Sequence, residues 1–160
     1  MKLLRRNQKR DMKKIILVGR TGTGKTTLTQ ALKGKQIYYH KTQYVNHYDV
    51  IIDTPGEYCE NRTLANGIII YAYEADVVGL MMSSTEDYSV YSPNIVSLSS
   101  RDVIGIVTKI NDVGARPDLA EQWLRLAGCK TIFFVDSVKG EGIADIFSYL
   151  KEEGDVLPWE

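Results

Sequence analysis

Five short apolar runs recur along the chain, Ile15–Val18, Val50–Ile52, Val77–Met82, Val103–Val107 and Ile132–Val135, and none alternates cleanly with polar residues. Runs of this kind suit strands covered on both faces, as in a parallel sheet. Helical spacing fills the intervals. Leu28, Ala31 and Leu32 form one stripe. Leu119, Trp123 and Leu126 form a second, after Pro117, which suits a first helical turn, and before Gly128, a natural stop. Ile143, Ile146, Phe147 and Leu150 make the last, with Gly154 just beyond. All three read as core-facing packing. Leu64–Ala75 is mixed: Ile68-Ile69-Ile70 is strand-like, yet Leu64, Ile68, Tyr71 and Ala75 keep helical spacing, and we read it as a helix. Alternating elements predict an α/β fold with a central, mostly parallel sheet of about five to six strands flanked by helices.

Composition keeps the class ordinary. With 160 residues, 44% hydrophobic and 25% charged, the chain fits one globular domain with a substantial core. The zero net charge conceals an asymmetry: residues 1–14 hold seven Lys/Arg against Asp11 alone, leaving 13 basic and 19 acidic residues beyond. The expected organisation is a basic tail over 1–12, a domain over 13–153 and a short tail over 154–160. A basic arm can meet nucleic acid, an anionic surface or a partner, but the simpler reading is a solvated tail. Cys59 and Cys129 lack metal-ligand spacing and point to a reducing compartment. No apolar run approaches a membrane span, and Leu3-Leu4 is too short for a signal-peptide core, so a cytoplasmic protein is expected.

The chemistry begins directly after the first apolar run. Gly19-Arg20-Thr21-Gly22-Thr23-Gly24-Lys25-Thr26 fits G-x-x-x-x-G-K-[ST], between a strand and a helix-forming segment. The glycines Gly19, Gly22 and Gly24 let backbone N–H groups, including that of Thr23, curl around a phosphate. The helix beginning near Lys25, Thr26 and Thr27 points its positive end at the same anion. Lys25 would neutralise the β- and γ-phosphates and the Thr26 hydroxyl would be a ligand for Mg²⁺. A nucleoside triphosphate is the expected ligand.

Other unusual segments also fall at the carboxyl ends of strands, where ligands of such sheets bind. Asp53-Thr54-Pro55-Gly56 lies 28 residues after Lys25. Asp53 would hold Mg²⁺ through water, and the Gly56 N–H could sense the γ-phosphate. Thr108-Lys109-Ile110-Asn111-Asp112 and Asp136-Ser137-Val138-Lys139-Gly140-Glu141-Gly142 resemble the base-recognition loops of small GTPases. More narrowly, Asp53–Arg62, Lys41-Thr42-Gln43, Ala75-Asp76-Val77 and Gly140-Glu141-Gly142-Ile143 together resemble the EutP/PduV family, small P-loop proteins associated with bacterial ethanolamine and propanediol utilisation.

That resemblance implies a Ras-like P-loop NTPase fold over roughly residues 13–152 and assigns further roles. Thr42 would be a switch threonine, bound to Mg²⁺ and the γ-phosphate. The short interval from Thr42 to Asp53 leaves room only for a very short hairpin turning near Asn46-His47, an abbreviated sheet edge. Thr108, Lys109, Asn111, Asp112, Ser137 and Val138 would surround the base. Two departures from the pattern bear on specificity. Asn111 stands where an Asp would accept both guanine donors, with Asp112 one place later, and Asp136 stands where a Ser is expected. Either Asp112 reads the base through a shifted loop, or guanine preference is weak or altered. Glu57 occupies the place of a water-orienting glutamine and could accept a hydrogen bond from the attacking water, although phosphate repulsion favours slow turnover. With Lys25 and Thr42 it completes the expected catalytic set. Nothing marks Arg20 or Arg62 as an arginine finger, and His40 and His47 read as ordinary surface residues.

The resulting expectation is a slow Mg²⁺-dependent GTPase switch, segments 35–45 and 54–66 changing with the γ-phosphate. Its alternatives are an ATP-binding ATPase or kinase, or a nucleotide-stabilised module docking on a microcompartment shell or enzyme partner. Nucleic acid is not favoured as a partner.

Overall fold

The computed structural model describes residues 12–20, 22–43, 51–52, 68–69, 73 and 75–151, with side chains of α1 described as far as Gly34. In chain order the elements are β1 (Ile15–Val18), α1 (Lys25–Gln43), β2 (Ile51–Ile52), β3 (Val77–Ser83) and a 3-10 turn (Ile95–Leu98). They continue with β4 (Asp102–Thr108), α2 (Pro117–Leu126), β5 (Ile132–Phe134) and α3 (Ile143–Leu150). The strands form a five-stranded sheet in the order β2-β1-β3-β4-β5, and every described pair is parallel. Ile15–Val18 lies opposite Val77–Leu80, and Val77–Ser83 opposite Asp102–Thr108. At the ends, Ile15 and Ile16 face Ile51 and Ile52, while Gly105–Val107 faces Ile132–Phe134.

Alternating strand residues serve two cores. Ile15, Leu17, Val77, Met81, Ile104 and Ile106 pack with Leu28 and Leu32 of α1 and with Ile143, Ile146, Phe147 and Leu150 of α3. Ile16, Val18, Val78, Leu80, Met82 and Val107 pack on the other face with Ala120 and Leu124 of α2. Full burial of each such aliphatic or Phe side chain is worth about 1.5–3 kcal/mol, so both faces must be covered for the sheet to stand. The apolar runs lack alternation for this reason.

The expected stripe of α2 is rotated by about one residue. Ala120, Leu124 and Ala127 are buried, Leu119 and Trp123 are half-buried, and Leu126 is 60% exposed. The cause lies in β4: a β-carbon on Gly105 would come within 3.1 Å of Leu124 Cδ1, so the glycine opens the space that Leu124 fills. Small Ala120 then allows the helix to approach, and the larger residues move to its flanks.

Met12, assigned above to the tail, is 4% exposed in the first core and forms an antiparallel bridge with Lys151. The Lys13 N–H donates to Leu150 O at 2.8 Å. Within Leu64–Ala75, Ile68 and Ile69 have helical backbone and Ile68 is buried. The expected hairpin near Asn46-His47 lies outside the described residues. No helix among the described residues is long and apolar enough to cross a membrane.

Candidate functional site

A sheet ordered 2-1-3-4-5 has its topological switch point between β1 and β3, where crossovers leave in opposite directions and open a crevice beyond the strand ends. The loop from Gly19 to Gly24 sits there. Gly22 and Gly24 take φ of 86° and 91°, values that a side chain disfavours, which lets the loop curl into the start of α1. Lys25, Thr26 and Thr27 form the first turn of that helix, with both threonines exposed. Gly19 is buried at the end of β1.

Two carbonyls of the loop are held from β4. Thr108 Oγ1 donates to Thr23 O at 2.5 Å, and Lys109 Nζ donates to Gly22 O at 2.7 Å. Lys109 itself takes a left-handed φ of 56° at the strand end, a conformation that costs a non-glycine residue about 1–2 kcal/mol. The expected base-loop residues Thr108 and Lys109 therefore also brace the phosphate loop. Thr23 is fully buried, and its Oγ1 has no hydrogen-bond partner among the described residues. A buried hydroxyl without a partner is costly, and Thr23 sits between the positive-φ glycines Gly22 and Gly24 at a helix N-terminus. This chemistry fits a phosphate group. The described residues hold no cluster of three His, Cys, Asp or Glu able to bind a metal alone. A P-loop Mg²⁺ needs no such cluster, because phosphate oxygens and water supply most of its ligands.

Two further groups at this end, Tyr91 and Glu86, were not singled out from sequence. Tyr91 is buried, and its hydroxyl lies 2.6 Å from Met81 O and 3.1 Å from Val18 O, joining β3 and β1 just before the phosphate loop. Tyr91→Phe strands these buried carbonyls without that donor. We expect a loss of about 1–3 kcal/mol, read as a lower urea midpoint at unchanged slope. Glu86 follows β3; burial raises its pKa, opposed by the Ser83 backbone bond and then by the charges of Arg20 and Lys109. The rule that ligands gather at strand ends could have flagged it, since Ser83-Ser84-Thr85-Glu86 closes β3. Arg20 stacks its guanidinium over the Tyr88 ring at 4.4 Å.

The second group of site residues meets where the β4 and β5 loops approach each other. Asn111 Nδ2 donates to Asp136 Oδ2 at 2.9 Å and to Glu141 Oε2 at 3.1 Å. Asp136 Oδ1 accepts the Val138 and Lys139 backbone N–H groups at 3.1 and 3.0 Å. The Asn111 bond, followed by the backbone bonds of Lys139 and Val138, holds the Asp136 carboxyl below its ordinary pKa despite burial. Glu141, quoted in a motif but given no role from sequence, is thus the third member of this knot. Asp112 is exposed in a turn in which its N–H donates to Lys109 O and its carbonyl accepts from Ala115 N–H. Ser137 and Val138 line a cavity of about 450 Å³ with Ala31 and Gly34 of α1, Lys139 and Ile143.

Thr42 is not brought to the site. It lies in the last turn of α1, 17 residues beyond Lys25 and so roughly 25 Å along the helix axis from the phosphate loop. Residues 35–43 are helical here, where a switch loop was expected. Asp53, Gly56, Glu57, Arg62 and His47 lie outside the described residues, and His40 belongs to α1. Cys129 is a free thiol whose burial pushes its pKa up to about 12, which makes it a core residue without nucleophilic character near neutral pH. Cys59 lies outside the described residues.

A parallel sheet with this loop at its switch point defines a P-loop NTPase. Its fold is similar to that of the translation elongation factor SelB from Methanococcus maripaludis, solved with the GTP analogue GppNHp. The TM-score is 0.57 at 14% identity, and the match covers 87% of this chain and 33% of that one. The chain belongs to the PduV-EutP family of ethanolamine and propanediol utilisation, whose pattern matches residues 12–152. It is 39% identical over 140 residues to the propanediol utilization protein PduV of Citrobacter freundii, covering 87% of this chain and 93% of the relative. It is 28% identical over 144 residues to a probable acetate kinase EutP of Salmonella typhimurium, covering 87% and 89%.

Proposed function

We propose that this chain binds a nucleoside triphosphate with Mg²⁺ and hydrolyses GTP slowly, acting as a switch in ethanolamine or propanediol utilisation. The observation that carries the reading is the glycine-turned loop at the switch point, braced by Thr108 and Lys109, with a buried Thr23 hydroxyl that has no partner among the described residues and Lys25 at the following helix start. In this reading Lys25 binds the β- and γ-phosphates, Thr26 and Asp53 hold Mg²⁺, and Gly56 and Glu57 attend the γ-phosphate and water. The metal supplies charge neutralisation at the phosphates.

Thr42 joins this site only if the end of α1 unwinds. Gly34 and the run Ile37-Tyr38-Tyr39 give that part of the helix poor intrinsic propensity. Eight residues in extended form reach roughly 27 Å. The return from Gly34 to the helix start is roughly 15 Å. The segment is therefore long enough to carry Thr42 back, and this is the conformational change we assign to the switch. The cytoplasm is the proposed setting, with a microcompartment shell or enzyme as docking partner.

The name of the Salmonella relative supports a second reading, in which ATP donates its γ-phosphoryl group to a small carboxylic acid. One experiment separates the two. Phosphate release from GTP and ATP is followed with Mg²⁺, with and without acetate, and acetyl phosphate is trapped as the hydroxamate. The GTPase reading expects release on the order of 10⁻³ s⁻¹ or slower, independent of acetate, as for P-loop GTPases without an arginine finger. Acetate-dependent hydroxamate from ATP overturns it in favour of the kinase. Nucleotide binding with no turnover of either kind leaves a docking module.

A further inference from the structure

We propose that the base site of this chain is blind to the purine 2-amino group, and that Asn111, locked by Asp136 and Glu141, is the specificity-determining residue. This rests on the nucleotide reading above and concerns which purine the site selects.

The two departures noted in the sequence are partners in space. An amide stands where a carboxylate was expected on the first loop, a carboxylate where a hydroxyl was expected on the second, and they bond to each other at 2.9 Å. Glu141 adds a second carboxylate oxygen at 3.1 Å from the same nitrogen. These two acceptors fix which way the amide points, because the reverse orientation would set Oδ1 against carboxylate oxygens with no proton between them. Both Nδ2 hydrogens are therefore spent within the protein. Oδ1 alone remains to meet a base, and it has no partner among the described residues.

Guanine presents adjacent N1–H and 2-amino donors. A carboxylate answers both with two oxygens; Asn111 offers one. Hypoxanthine keeps N1–H and lacks the amino group, so Oδ1 serves it as fully as guanine. Xanthine carries a carbonyl at C2 and needs a donor there, and Nδ2 has none left to give. The second loop does not compensate, since the Val138 N–H is donated to Asp136 Oδ1 at 3.1 Å. Buried Asp136, with three hydrogen bonds accepted, holds the arrangement rigid.

The test is competition by unlabelled GTP, ITP, XTP and ATP against a ribose-labelled fluorescent GTP, on the full chain with Mg²⁺. GTP and ITP are expected to bind within about 3-fold of each other, with XTP weaker by about 10-fold or more. The triple variant N111D/D136S/E141Q rebuilds a carboxylate reader and removes the facing charges of Asp136 and Glu141. It is expected to prefer GTP over ITP by about 10²-fold, with circular dichroism confirming its fold. A wild-type preference for GTP over ITP above about 30-fold overturns the proposal, and its loss in D112A would make Asp112 the reader. Equal binding of GTP, ITP and XTP, or a folded triple variant that gains no preference, also overturns it. If ATP alone binds, this proposal and the GTPase reading fall while triphosphate binding stands; if no triphosphate binds, all three fall.

Discussion

Gly142→Ala is expected to destabilise the protein by about 3–5 kcal/mol, a large share of the 5–15 kcal/mol that holds a typical domain together. Two costs combine. Gly142 caps the start of α3 at φ 78°, a left-handed conformation that costs an alanine about 1–2 kcal/mol. Its added β-carbon would also stand 2.1 Å from Phe134 O and 3.1 Å from Val135 Cγ1. Neither neighbour can withdraw cheaply. Phe134 is paired with Val107 in the sheet, and the Val135 N–H donates to Val107 O at 2.8 Å. Relief must come from α3, yet Ile143, Ile146, Phe147 and Leu150 are all buried in the first core. Gly140→Ala separates the two costs, for Gly140 has φ 79° with nothing within 4 Å of an added β-carbon. It should lose only the conformational part, about 1–2 kcal/mol. Thermal unfolding of the pair should show Gly142→Ala lower by roughly 6–20 °C and Gly140→Ala by roughly 2–8 °C, at about 2–4 °C per kcal/mol for a chain of this size. Equal shifts would mean that α3 moves aside freely.

The strands were legible because burial on both faces leaves a local trace, an apolar run without alternation. The phosphate loop was legible for a related reason: its glycines, lysine and threonine are consecutive, so their geometry follows from the chain alone. What escaped depends on distant residues. The buried face of α2 is set by Gly105, 15 positions before Ala120 and on another element. Asn111 and Asp136 were each visible as departures, but they lie 25 residues apart on neighbouring strand-end loops, so their mutual bond needed the sheet order. Tyr91 carries no motif, and only the ends of β1 and β3 reveal its function. Thr42 was drawn to the site by resemblance alone, and it lies in the last turn of α1.

Lys25→Ala is expected to weaken triphosphate binding by about 10–150-fold, the range set by losing one hydrogen bond to a charged phosphate oxygen. Turnover at saturating nucleotide should fall by a further 10²-fold or more, because charge on the phosphates grows as the bond to the leaving group loosens. The fold should persist in the variant, since Lys25 opens α1 and alanine is the best helix former. This contrast in effect makes the variant decisive. The loop is held by Thr108 and Lys109 from β4 and by the Leu28 N–H donating to Gly24 O, none of which the Lys25 side chain supplies. A stable protein that no longer retains GTP would locate the ligand at this loop. Unchanged affinity in a folded variant would remove the ligand from the switch point, and with it the assignments to Thr26 and Asp53, which depend on a phosphate bound beside Lys25.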